Sequence, residues 1–176
     1  MRVAIGIDPG DRSGVTLWSD TEGPTIYPVV LSNSRTTHES TAALMDSQLA
    51  VLSANHPAGV EWAAAIERPF NRRGPVEAVR FWKKTLDLLA RNRAVGRFRK
   101  PTIVCPHPQT WRSQLGLPVR GYVKRAAQEH LFRTSGIKCD DHDLADSACL
   151  ADWLLGCARV GYAEVGSKAH EIKWVP

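Results

Sequence analysis

The chain has 176 residues, 43% of them hydrophobic, and a formal net charge of +5, which suits one domain with a full core. No apolar run approaches the roughly 20 residues of a membrane span, and the chain opens on strand-like residues without a charged leader and cleavage site, so neither a membrane segment nor a signal peptide is expected. The four cysteines lack CxxC spacing, which fits reduced thiols and a cytoplasmic setting. Charge is strongly segregated: residues 1–67 carry three Lys/Arg against eight Asp/Glu, residues 68–138 seventeen against three, and residues 139–176 three against seven. Acidic ends around a basic middle imply an acidic site beside a surface for a polyanion.

Residues 2–8, 14–18 and 25–31 are rich in Val and Ile and separated by Gly/Pro/Asp turns, which predicts a three-stranded meander. The first strand ends on Asp8, ahead of Pro9-Gly10. A carboxylate at the end of a buried strand is costly unless something binds it. It reads either as a turn-capping Asp or as a metal ligand or phosphate-facing carboxylate at the rim of a sheet. Thr37 or a neighbour can cap a helix reaching about Asn55, with Met45, Leu49 and Leu52 on one face. Val60 to Glu67 reads as a further strand, stopped by Pro69, which has no N–H for a ladder. A second carboxylate, Glu67, thus also ends a strand.

Pro75 opens a long helix from Val76 to about Ala94. Its Val79, Trp82, Leu86 and Leu89 form a stripe that fits either a core face or a dimer seam. A short strand at Thr102–Cys105 follows, then helices over Gln109–Leu115 and Tyr122–Phe132. The last helix runs from about Asp141 to Arg159, with Leu144, Ala148, Ala151 and Leu155 as its buried stripe. The residues from Gly161 show no clear periodicity, so the expected organisation is one domain over 1–160 with a C-terminal tail over 161–176. This order predicts an α/β fold: a five-stranded mixed sheet, three strands antiparallel and then two parallel, flanked by helices. Ligands of such sheets bind outside the carboxyl ends of the parallel strands, where Asp8 and Glu67 both lie.

Four acids in seven residues, Asp140 to Asp146, exceed what capping the last helix requires. Asp143 and Asp146, three apart, share one face of its first turn, while Asp140 or Asp141 serves as a cap. Four carboxylates brought together repel and are driven towards neutrality unless cations balance them. Two divalent cations match four negative charges, and hard oxygen donors select Mg²⁺, with Mn²⁺ as a substitute, over zinc. Paired ions of this kind suit phosphodiester hydrolysis. Cys105-x-His107 and Cys139-x-x-His142 supply zinc-ligand types, but at a spacing that matches no zinc module.

Three segments carry a resemblance to the RuvC Holliday junction resolvases, a branch of the RNase H-like nucleases: Ile5-Gly6-Ile7-Asp8-Pro9-Gly10, Ala65-Ile66-Glu67-Arg68-Pro69-Phe70 and Asp143-Leu144-Ala145-Asp146-Ser147-Ala148. It spans residue 2 to about 158. The resemblance implies an RNase H-like fold and a homodimeric, Mg²⁺-dependent endonuclease that resolves four-way DNA junctions by paired symmetric nicks, in DNA recombination or repair. Asp8, Glu67, Asp143 and Asp146 would hold two metals per site. Lys124, in Tyr122-Val123-Lys124-Arg125-Ala126, matches a basic catalytic position. Arg112, in Pro108-Gln109-Thr110-Trp111-Arg112, stands where a Lys is usual, and its fixed charge makes it a poor proton donor. Phe70 falls where the family places an aromatic wedge at the junction centre. Arg68, Arg72, Arg73, Lys83, Lys84 and Arg112, with Lys124 and Arg125, would contact DNA. Phe81-Trp82-Lys83-Lys84 replaces the glycine-containing pattern of bacterial members, which suggests a divergent or phage-like one. The same chemistry on flaps, forks or RNA–DNA hybrids is the alternative. A DNA-binding module without catalysis is disfavoured by the four acids. An actin-type ATP-binding domain needs a second Asp-x-Gly loop and an adenosine motif, and neither is present.

Overall fold

The structure, a computed structural model, describes residues 1–56, 59–68, 76–94, 100–165 and 168–176. In chain order these form β1 (Arg2–Asp8), β2 (Arg12–Ser19), β3 (Gly23–Val30), α1 (His38–Ala54), β4 (Glu61–Ile66), α2 (Val76–Asn92), β5 (Ile103–Val104), α3 (Pro108–Gln114), α4 (Val123–Ser135), α5 (His142–Val160), β6 (Tyr162–Val165) and β7 (Lys168–Glu171). The main sheet has the order β3-β2-β1-β4-β5. β1 runs antiparallel to β2 and parallel to β4, and β4 parallel to β5. This is the five-stranded mixed sheet expected from the sequence.

Alternation along the strands divides the sheet into two unlike faces. Val3, Ile5 and Ile7 of β1 and Trp62, Ala64 and Ile66 of β4 point to one side, where they pack with Met45 and Leu49 of α1 and Trp82, Leu86 and Leu89 of α2. The α2 stripe is therefore core within the chain, with Trp82, Leu86 and Leu89 fully buried. Thr37 caps α1 through a capping box with Ser40, which satisfies backbone N–H groups that a helix start leaves open.

The opposite face is lined by small residues, Ala4, Gly6, Ala63 and Ala65, and carries α5. That helix is buried far beyond the single expected stripe. Every residue from Ala145 to Leu155 except Asp152 is buried, whereas Leu144, predicted as core, is half-buried. A helix packed on several sides loses its amphipathic period, so sequence spacing alone understates its burial.

The segment after Gly161 lacks periodicity because its strands are only four residues long. It forms the β6–β7 hairpin and then returns to the sheet. Trp62 N–H donates to Val175 O at 2.7 Å and Val175 N–H to Trp62 O at 3.1 Å. Ala163, Ile172 and Val175 are buried, so the segment read as a tail contributes to both cores.

Candidate active site

The parallel ladder between β1 and β4 places the first two carboxylates. Gly6 pairs with Ala65 and Ile7 with Ile66. The next step is the Glu67 N–H, which donates to Ile7 O at 2.8 Å. Asp8 and Glu67 are thus neighbours just beyond the paired residues, on the face shared with Gly6 and Ala65. The turn after Asp8 is held by the buried Ser13. Its hydroxyl donates to Gly10 O at 2.9 Å and accepts from Gly10 N–H at 3.2 Å and from the Trp82 indole at 2.9 Å. A side chain of α2 therefore locks the loop that presents Asp8.

The other two acids arrive on α5. Asp141 accepts from the N–H groups of Asp143 and Leu144 and pairs with Arg12 at 2.9 Å, so it is the cap. Asp143 and Asp146 project from the first turns. Two glycines let this helix end sit directly against the sheet. A Cβ on Gly14 would lie 2.2 Å from the Asp143 carbonyl oxygen, and one on Gly6 2.1 Å from that of Ser147. Gly14 is the register partner of Asp8, so the start of α5 is pinned beside Asp8. A buried bond between the Thr16 and Ser147 hydroxyls, 2.8 Å, fixes the helix along its length.

The four acids share one electrostatic environment. Asp8 is raised well above the ordinary carboxylate range by burial and then by the charges of Glu67, Asp146 and Asp143. Glu67 is pushed up to about 7, by burial first and Asp146 next, against the pull of Arg112 and a hydrogen bond from Trp111. Asp146 is raised to about 6 by burial, which outweighs the Arg112 guanidinium. The Arg112–Asp146 contact is 2.6 Å, with the two side chains 6% and 9% exposed. Trp111 Nε1–H donates to Glu67 Oε2 at 2.9 Å.

These shifts set a pH dependence. An acid whose folded pKa is raised binds more protons folded than unfolded in the interval between the two values, so stability falls as pH rises through it. With Glu67 at about 7 from 4.5 and Asp146 at about 6 from 3.8, Tm in a chelator-containing buffer is expected to fall between roughly pH 4 and 7. A Tm that rises across that window would contradict the clustering.

A divalent cation suits this donor set chemically. All four acids offer hard oxygens, their mutual repulsion calls for positive charge, and Asp146 Oδ1 is buried with no hydrogen-bond partner among the described residues. Among the described residues, as they stand, no three His, Cys, Asp or Glu side chains form a group that could hold a metal ion. The two cysteine–histidine pairs are not assembled either, and the Cys139 thiol donates to Asp141 O at 3.2 Å.

Of the remaining sequence candidates, Lys124 is exposed and its Nζ lies 2.7 Å from His142 Nε2, which is itself 3.0 Å from Asp143 Oδ1. Arg125 is exposed and paired with Glu129 at 2.7 Å. Arg68, Lys83 and Lys84 are exposed. Lys83 and Arg68 lie near the Cys105 thiol, whose pKa burial raises against their pull. Arg112, expected on the DNA backbone, is instead turned inward to Asp146, because a cation sealed beside carboxylates is better compensated there than unpaired. Phe70, Arg72 and Arg73 lie outside the described residues. The sequence assigns no role to Trp111, which its spacing does not distinguish from a core aromatic, and offers His142 only in a cysteine–histidine pair. Both contact the carboxylate group.

No protein-family model matches the sequence, and no curated protein matches it. Solved structures do match. The fold is that of T. thermophilus RuvC in complex with a Holliday junction substrate, with TM-score 0.55 and 17% identity over 92% of this chain and 97% of that one. A second Thermus thermophilus RuvC structure gives TM-score 0.57 and 19% identity over 97% and 99% of the two chains. The mixed sheet with α5 across it is thus an RNase H-like fold of the RuvC type, distant in sequence from those proteins.

Proposed function

We propose that this protein is a metal-dependent endonuclease that resolves four-way DNA junctions by paired symmetric nicks. The observation that carries the reading is the convergence of Asp8, Glu67, Asp143 and Asp146 at the carboxyl ends of β1 and β4, with one buried oxygen of Asp146 left without a partner among the described residues. The similarity to RuvC folds, one of them bound to a Holliday junction substrate, supports the choice of DNA.

In this reading the four acids hold two Mg²⁺ ions, with Mn²⁺ able to replace them. When bound, the ions supply charge that activates water and stabilises the departing 3′ oxygen. The protein's own residues do the rest. β1, β4 and α5 orient the acids, and the Gly6 and Gly14 contacts keep α5 close. Lys124 is linked to Asp143 through His142, and its exposed ammonium can offset charge that develops on a phosphate. Arg68, Lys83, Lys84 and Arg125 are exposed and suited to backbone phosphates. Binding through them should weaken steeply with salt and select shape more than base sequence. A homodimer supplies two sites for a two-fold symmetric junction. Comparing Mg²⁺-dependent cutting of a four-way junction, a flap, a fork and an RNA–DNA hybrid tests the reading. Preferential junction cutting supports it, and preference for another substrate assigns the same chemistry elsewhere.

A further inference from the structure

One cation of the protein itself, Arg112, sits among the acids in this structure. Arg112 reaches Asp146 with one Nη at 2.6 Å, sealed from solvent on both sides. Its other Nη donates to Val123 O at 3.3 Å, and the guanidinium lies over the Trp111 ring, 4.5 Å from its centroid. Only half of the Asp146 carboxylate is used, since Oδ1 is buried without a partner among the described residues.

We propose that Arg112 is an electrostatic latch: it holds Oδ2 of Asp146 and weakens the binding of a divalent cation at that carboxylate. This rests on the metal-dependent reading above. Two cations cannot share a sealed carboxylate without repulsion, and a guanidinium stays charged at any pH the protein survives. Arg112 therefore cannot yield to a cation by losing its proton. The Val123 carbonyl and the Trp111 face hold it in place besides Asp146. Trp111 makes the contrast. It gives Glu67 a neutral hydrogen bond, which orients that carboxylate without competing for its charge. Adjacent residues of α3 thus engage two acids in different ways, one by positioning and one by occupying. A latch of this kind raises the ion concentration needed to fill the site.

The test is Mn²⁺ binding to the DNA-free protein, read by electron paramagnetic resonance, together with the rise in Tm produced by Mg²⁺. Arg112→Gln keeps a donor for Asp146 and removes the charge. The expected result is ion binding tightened roughly ten- to hundredfold, the worth of one charge-assisted hydrogen bond, and a larger Mg²⁺-induced rise in Tm than in wild type. Arg112→Lys, with one point charge in place of a fork, should fall between the two and serves as the comparison if Arg112→Gln does not fold. Binding that is unchanged or weaker in the variants, with ions still bound by wild type, would overturn the latch and leave the metal reading standing. No Mn²⁺ bound by any form would overturn both.

Discussion

Replacing Asp8 by Asn should stabilise the metal-free protein and abolish strand cleavage. Burial and three neighbouring acids all oppose the charge of Asp8. An amide of the same shape removes that opposition and leaves the packing of β1 unchanged. Each kcal/mol regained should raise Tm by roughly 2–4 °C at this chain length. Nicking should fall by about 10³-fold or more, because ion-assisted stabilisation of a transferring phosphate is worth several kcal/mol. Junction binding should be retained, since a negative charge near phosphates is lost. A thermal melt and a single-turnover nicking assay on the same preparation measure both effects. A Tm decrease would show that Asp8 is a structural cap, and retained nicking would remove it from the metal-binding set.

Gly14→Ala should be severely damaging for a single added methyl. The added carbon would meet the carbonyl of Asp143, 2.2 Å for the oxygen and 2.6 Å for the carbon. Both partners are backbone, one in a paired strand and one at the start of a buried helix, so neither yields cheaply. Overpacking of this kind costs about 1–3 kcal/mol and sometimes more, or roughly 2–12 °C in Tm. Any relief lifts the start of α5 and carries Asp143 and Asp146 away from Asp8 and Glu67, and a 1 Å displacement can cost about 10² in rate. Gly156 supplies the control. It lies on the exposed side of the same helix, where an added Cβ would meet nothing within 4 Å, so Gly156→Ala should leave activity intact and stabilise the helix by up to about 1 kcal/mol. Equal effects at the two positions, measured by denaturation and nicking, would refute the role given to the close contact.

The sequence made the sheet legible because the first strands are rich in Val and Ile and because Pro and Gly mark the turns. The acids were legible for a related reason: a strand that ends on Asp8 or Glu67, or a helix that starts with more acids than a cap needs, breaks the local pattern. Three features were hidden. The Gly6 and Gly14 contacts depend on a helix more than 120 residues away, so those glycines look like ordinary strand weaknesses. Arg112 belongs to a basic stretch by composition, and only the fold shows that it faces inward to Asp146. The β6–β7 hairpin is too short for a period, and its place is set by the pairing of Val175 with Trp62.

The most direct measurement is Mg²⁺-dependent cutting of a synthetic mobile four-way junction, with Asp8→Asn as control and strand ends mapped at nucleotide resolution. The account predicts nicks at symmetric positions on two opposed strands with wild type and none with the variant. Junctions that are bound but stay intact across Mg²⁺ and Mn²⁺ concentrations, or that are cut equally by Asp8→Asn, would contradict it.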